Sequence, residues 1–190
     1  PIYDYAAQPN LTPLHDQQHQ DILKDTNDIH LVEYYADWCG HCRQLAPAVL
    51  KAAENLQNLV KVGAVNEATA KKAMADASVT SFPTLKLYLP EVRHNPYTNK
   101  PFKQGLTYDG PRTAKGLVDF VASSIPSHVS SVTDGSLSEF VANGTAPKAL
   151  LFTSKPATTL MIKALAYRLR GGLLIGQTLV GEAPKAAAAL

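Results

Sequence analysis

Trp38-Cys39-Gly40-His41-Cys42 holds the only two cysteines of the chain, at Cys-x-x-Cys spacing, directly after the apolar run Leu31-Val32-Glu33-Tyr34-Tyr35-Ala36. An extended run followed at once by this pair reads as a strand-to-helix turn with both thiols on the first helical turn. Thiols so spaced can close a small disulfide ring, and the unpaired N–H groups and positive dipole end of the helix favour a thiolate. The chemistry on offer is thiol–disulfide exchange. Cys39, N-terminal and the more exposed of the two, is expected to attack. Cys42, one turn in and more buried, is expected to resolve the mixed disulfide by attacking Cys39. Gly40 and His41 separate them, and an imidazole beside the thiolate stabilises the reduced, charged form and makes the disulfide a better oxidant. Glu33 is a carboxylate in mid-strand. Burial without a partner is expensive there and raises its pKa, so that it can accept and return a proton.

Competing chemistries find less support in the residues. A metal centre would need a second Cys-x-x-Cys beside the first, which does not occur, so no metal ligand is expected. A c-type haem attachment would need His after Cys42, where Arg43 stands. The chain has 190 residues, 45% of them hydrophobic, and a net charge of +2. That length suffices for one well-buried domain and a smaller second unit. No basic stripe with interleaved aromatics marks a nucleic-acid partner, and no apolar stretch reaches the roughly 18 to 20 residues of a membrane span. Two glycosylation acceptors, at Asn10 and Asn143, are compatible with the secretory pathway and equally with ordinary surface loops.

The elements that must position the cysteines follow from periodicity. After a loose Pro/Asn/Gln-containing start, the pattern predicts a helix over Leu14 to Asp25, a strand over His30 to Ala36 and a helix over Cys39 to Leu59 with Pro47 inside it. A strand over Val60 to Val65, a helix over Ala68 to Ala77, strands over Thr84 to Leu89 and Gly105 to Tyr108, and a helix over Thr113 to Ser124 complete the first series. Pro90 to Gln104, rich in Pro, Asn and Lys, reads as a surface insertion. Ile125-Pro126-Ser127 marks a linker, dividing the chain into 1–126 and 127–190. A second series then predicts strands over Val129 to Val132, Ala149 to Thr153 and Leu173 to Val180, with helices over Leu137 to Ala142 and Thr158 to Arg170. The tail Glu182 to Leu190 reads as low-complexity.

Three segments carry a family resemblance: Val32 to Pro47 around the cysteine pair, Ser81-Phe82-Pro83-Thr84-Leu85-Lys86, and Tyr108-Asp109-Gly110-Pro111-Arg112-Thr113. In this order they resemble the protein disulfide isomerases of the thioredoxin superfamily, closest to small fungal-type members with one active and one inactive domain. The resemblance covers Leu11 to Ser124. It implies an α/β thioredoxin fold, a βαβ unit plus a ββα unit around a central mixed sheet flanked by helices. A partial, cysteine-free second thioredoxin-like unit would follow, lacking the two strands and terminal helix that complete such a unit.

By the same resemblance Pro83 is cis and faces the cysteines, Phe82 offers backbone groups to an extended substrate, and Trp38 flanks the groove. Glu33 is then the buried acid serving Cys42, and Arg112 opens the last helix of the first domain and swings toward Cys42. Ala64 and Asn66 stand where the family often has a lysine and an aspartate, so Glu33 lacks its usual partner. The implied activity is formation and rearrangement of disulfides in folding secretory proteins, with no bound cofactor, in the endoplasmic reticulum lumen. Cysteine-containing unfolded chains and glutathione or an upstream oxidase are the implied partners. The alternative is a redox-assisted chaperone or binding module for unfolded chains.

Overall fold

Burial on both faces singles out one strand, His30–Tyr35, all six of whose residues are buried. The computed structural model describes residues 1–24, 27–99 and 101–182, in two units, Pro1–Ser124 and Ile125–Leu190. The predicted helix end at Asp25, Lys100 of the predicted insertion, and the tail from residue 183 onward lie outside the described residues.

The first unit runs β1 (Leu11–Pro13), α1 (Asp16–Lys24), β2 (His30–Tyr35), α2 (Gly40–Asn55), β3 (Lys61–Asn66), α3 (Lys71–Asp76), β4 (Thr84–Tyr88), β5 (Arg93–His94), β6 (Pro101–Phe102), β7 (Leu106–Thr107) and α4 (Ala114–Ser124). Five strands form one sheet in the order β1-β3-β2-β4-β7. β1, β3 and β2 are parallel, and β4 and β7 are antiparallel to their neighbours. The mixed sheet matches the expected thioredoxin fold. β2 lies at its centre, between parallel β3 and antiparallel β4, where burial by helices on both faces demands a continuous apolar run.

Side chains alternate along β2. Val32 and Tyr34 enter a core with Leu14, Ile22, Val65, Ala73, Met74 and Tyr88, contributed by α1 and the turn before it, α3 and the sheet. Inside it a polar chain is satisfied internally: His19 Nε2 lies 2.6 Å from Tyr34 Oη, which lies 2.7 Å from Tyr88 Oη. Burial lowers the His19 pKa to about 4, so the ring is neutral at physiological pH. Leu31, Glu33 and Tyr35 take the opposite face. There α2 buries Cys42, Leu45, Ala46, Val49, Ala52 and Ala53, and α4 buries Leu117 and Val121.

Three features differ from the sequence expectation. The supposed loose start contains β1, a three-residue strand whose register Leu11↔Val62 and Pro13↔Ala64 exists only through β3. It is too short to show alternation, and a proline is tolerated on such an edge. The insertion carries its own ladder, β5 with β6, in the register Arg93↔Phe102 and His94↔Pro101. The last helix of this unit begins at Ala114, not at Arg112. Thr113 is the residue that caps it, its Oγ1 accepting from the Gly116 N–H at 3.1 Å.

The second unit runs β8 (Val129–Ser131), α5 (Leu137–Ala142), β9 (Lys148–Thr153), α6 (Leu160–Arg168) and β10 (Leu174–Leu179). Its sheet has the order β8-β10-β9, all parallel. This repeats the first half of the first unit, where β3 likewise sits between β1 and β2. Gly176 on the central strand admits the close packing: a Cβ there would lie 2.8 Å from Val132 and 2.9 Å from Phe140.

The first unit has its own core, so a chain ending at Ser127 is expected to unfold in one cooperative transition. Circular dichroism against denaturant checks this, and a broad, non-cooperative transition would mean that residues beyond Ser127 complete the same core.

Candidate active site

The turn after β2 is built by short-range hydrogen bonds. Cys39 N–H donates to Ala36 O at 3.0 Å, and Arg43 Nη2 donates to Asp37 O at 2.6 Å. Cys39 is the N-cap of α2, in extended conformation (φ −76°, ψ 112°), and its Sγ accepts from the Cys42 N–H at 3.1 Å. The two cysteines form a disulfide with Cα atoms 5.3 Å apart. Cys42 is wholly buried and Cys39 is 6% exposed. In the reduced protein Sγ of Cys39 therefore sits where the first-turn N–H groups and the helix dipole favour negative charge.

The mouth of the site is open. A Cβ at Gly40 would meet nothing within 4 Å, and His41 is exposed beside it. Trp38 is 71% exposed and meets the ring of Phe82 edge-on, centroids 5.9 Å apart at 76°. The Phe82–Pro83 peptide bond is cis. Trp38, Cys39, Gly40, His41, Cys42, Phe82 and Pro83 are thus assembled from two separate stretches of chain. Arg112 is not brought to them. It is exposed ahead of α4, with no side-chain hydrogen bond or ion pair among the described residues.

Glu33 is 1% exposed. Its cross-strand partners are Ala64 on β3 and Leu85 on β4, neither of them polar. Oε2 accepts a short hydrogen bond from the hydroxyl of Tyr3, and Oε1 has no hydrogen-bond partner. Burial pushes the Glu33 pKa up to about 7, opposed by the Tyr3 hydrogen bond, which favours the carboxylate. The carboxyl group can therefore both give and take a proton near neutral pH. Tyr3 was missed in the sequence because a tyrosine in a polar, unpatterned stretch carries no periodic signal. Two tyrosines within Pro1–Tyr5 were the one available hint. Among the described residues no cluster of His, Cys, Asp and Glu could hold a metal ion, and no helix is long and apolar enough to cross a membrane.

The raised Glu33 pKa has a consequence for stability. Between its ordinary value of 4.5 and about 7 the folded protein binds a proton that the unfolded chain releases. Stability is therefore full below pH 4.5, falls as pH rises through this window, and levels off above it. Glu33→Gln, which still accepts from Tyr3, is expected to remove this slope. Above pH 7 the oxidised variant should exceed the parent by on the order of 3 to 4 kcal/mol, some 2.5 pKa units at about 1.4 kcal/mol each. Denaturant unfolding of both proteins across pH 4 to 8 measures it, and parallel pH profiles would contradict it.

A thioredoxin family model matches residues 10–123. A Dictyostelium discoideum protein that bears a protein disulfide-isomerase name is 34% identical over 174 residues, 91% of this chain and 41% of that protein. Protein disulfide-isomerase MPD1 of Saccharomyces cerevisiae is 37% identical over 133 residues, 66% of this chain and 42% of that protein. The chain thus spans about two fifths of the length of these relatives. Among solved structures, a crystal structure of ERdj5 (form II) superimposes with a TM-score of 0.69 at 21% identity, over 97% of this chain and 24% of that chain, a likeness of fold. With a family model covering more than half of it and a cysteine pair capping the helix after the central strand, the chain belongs to the thioredoxin family, among relatives named protein disulfide-isomerases.

Proposed function

We propose that this protein is a thiol–disulfide oxidoreductase and isomerase acting on cysteine-containing proteins as they fold. The observation that carries the reading is the Cys39–Cys42 disulfide at the N-terminus of α2, with Cys39 Sγ on the first-turn N–H and a buried, near-neutral carboxyl group on the adjoining strand. The names of the relatives support it.

In the oxidising direction a client thiolate attacks Cys39 Sγ. The Cys39–Cys42 bond breaks, a client–Cys39 bond forms, and Cys42 leaves as a thiolate that takes the proton of Glu33. A second client thiolate then attacks the client sulfur, closing the client disulfide and releasing Cys39 as a thiolate. In the reducing direction the Glu33 carboxylate takes the Cys42 proton, and Cys42 attacks Cys39 and expels the client thiolate. Trp38, Phe82 and Pro83 line the place where an extended client would lie, Phe82 offering backbone groups for pairing. Arg112, exposed ahead of α4, swings to Cys42 in this reading when that thiol must ionise. Glutathione or an upstream oxidase restores the pair, and the endoplasmic reticulum lumen is the compartment whose redox poise suits it. The second unit, by its repeated topology, is a partial thioredoxin-like domain without cysteines, and the proposed boundary lies near Pro126.

Two experiments address this reading. Cys42→Ser is expected to accumulate mixed disulfides with reduced, unfolded clients treated with a mild oxidant, whereas Cys39→Ser forms none. Non-reducing electrophoresis reads the outcome, and the opposite pattern would exchange the two roles.

His41→Pro tests direction. An exposed imidazole beside Cys39 favours the thiolate and hence the reduced state, and proline is tolerated in the first helical turn. The potential is expected to fall by on the order of tens of millivolts, from near the roughly −180 mV of disulfide isomerases toward the roughly −270 mV of thioredoxin. Equilibration with glutathione buffers measures the shift. An unchanged or higher potential would remove His41 from the account.

A further inference from the structure

Residues Pro1 to Tyr5 form no helix or strand, yet the Tyr3 side chain reaches Glu33 on the central strand. Tyr3 is 2% exposed, and among the described residues its hydroxyl makes the only hydrogen bond to the Glu33 carboxyl group. Ala64 makes room for it: this residue lies opposite Glu33 in the β3 register and is buried, so its single methyl group leaves the flank of the carboxylate open. Tyr3, Tyr5, Tyr35, Ala64 and Asn66 line one cleft of about 280 Å³.

Several contacts hold the segment in place. The Tyr3 ring stands edge-on to Tyr35, centroids 5.2 Å apart at 85°. Tyr5 Oη and Tyr35 Oη are 3.1 Å apart, and Asn66 Nδ2 donates to Tyr35 Oη at 3.3 Å. Ile2 N–H donates to Asp37 Oδ1 at 2.9 Å, and Asn66 Nδ2 donates to Asp37 Oδ2 at 3.0 Å. Desolvation opposes the Asp37 charge, but the hydrogen bonds from Ile2 and Asn66, with Arg43 nearby, hold its carboxyl below the usual range. Ala64 and Asn66, which looked like losses in the sequence, are thus both accounted for by one feature: the first opens the space and the second helps to fasten the segment.

We propose that Tyr3 is the positioning residue of the Glu33 carboxylate, and that the segment Pro1–Tyr5 thereby governs proton exchange between Glu33 and Cys42. The proposal rests on the function given above. A hydroxyl donating to Oε2 stabilises the carboxylate over the acid and occupies one oxygen, leaving Oε1 for the thiol. No cationic side chain among the described residues acts on Glu33. The groups around it are Tyr3 and Tyr5 from the N-terminal segment, Tyr35 from its own strand and Asp37 beyond. The flanking strands contribute uncharged Ala64 and Leu85, and the buried residues of α4 are Leu117 and Val121. The Cys39–Cys42 pair of α2 does not titrate while it is closed.

Tyr3→Phe removes the donor and keeps the ring. The carboxylate then forms only at higher pH, and the step in which Cys42 loses its proton and expels the client follows it. The experiment prepares a mixed disulfide between Cys39 and a fluorescent cysteine peptide and times peptide release from pH 5.5 to 9. The rising limb is expected to move up by about one pH unit in Tyr3→Phe, a release about tenfold slower on the acid side that recovers when alkaline. In a Glu33→Gln background the same change should add nothing. Carbon NMR of the Glu33 carboxyl in the oxidised protein should show the same displacement, and a fluorinated tyrosine at this position, a stronger donor of similar shape, should move the limb the other way. If Glu33→Gln removes the limb while Tyr3→Phe leaves it in place, Tyr3 only packs and the proposal fails alone. If Glu33→Gln leaves release unchanged, Glu33 is not the base, and the assignment in the proposed function falls together with the proposal.

Discussion

A carboxyl group in the middle of a strand buried on both faces is the constraint from which the rest of the site follows. Glu33 costs folding free energy wherever it is charged and dry. A strand that accepts it needs strong apolar packing on either side, and β2 has it. The Val32 and Tyr34 face closes over α1 and α3, and the opposite face meets the buried residues of α2 and α4. Even the polar atoms of the first face are satisfied internally by the His19–Tyr34–Tyr88 chain. With β2 so held, the penalty of a carboxyl group that titrates near neutrality is tolerated, and its proton becomes available to chemistry.

The same strand aims the helix. β2 ends at Tyr35, the chain turns over three residues, and Cys39 caps α2 with its sulfur on the Cys42 N–H. A thiol at that point gains from the helix dipole only if the helix N-terminus is held still, and the tight turn with its Arg43–Asp37 bond does this. The second residue of the pair lies one turn deeper and is wholly buried. In the proposed function the less buried sulfur attacks and the wholly buried one resolves, a division made by position on a single helical turn.

Asp37 links these two arrangements. It accepts from Ile2 and Asn66 through its carboxylate and from Arg43 through its carbonyl. The turn that presents Cys39 and the segment that carries Tyr3 to Glu33 are therefore tied to one residue. In the second unit, by contrast, β8, β10 and β9 repeat the parallel half of the sheet without cysteines, and repetition of a fold carries no repetition of the chemistry.

The cysteine pair, the central strand and the helices around it were legible in the sequence because their signals are local. Cys-x-x-Cys spacing, a two-faced apolar run and a 3.6-residue period need no distant partner to be recognised. Leu137 to Ala142 was located to the residue for that reason, and the thioredoxin motifs implied the mixed sheet around Cys39. What tertiary structure alone decided was everything that depends on a partner far along the chain. β1 is a strand only because β3 is beside it, and β5 and β6 exist only as a pair. Arg112 could be placed in sequence but not in space. Tyr3 is separated from Glu33 by 30 residues of chain, and no pattern of spacing connects a phenol in an irregular segment to a buried acid. The sequence carried the cost of Glu33; the folded chain alone could supply the hydroxyl that meets it.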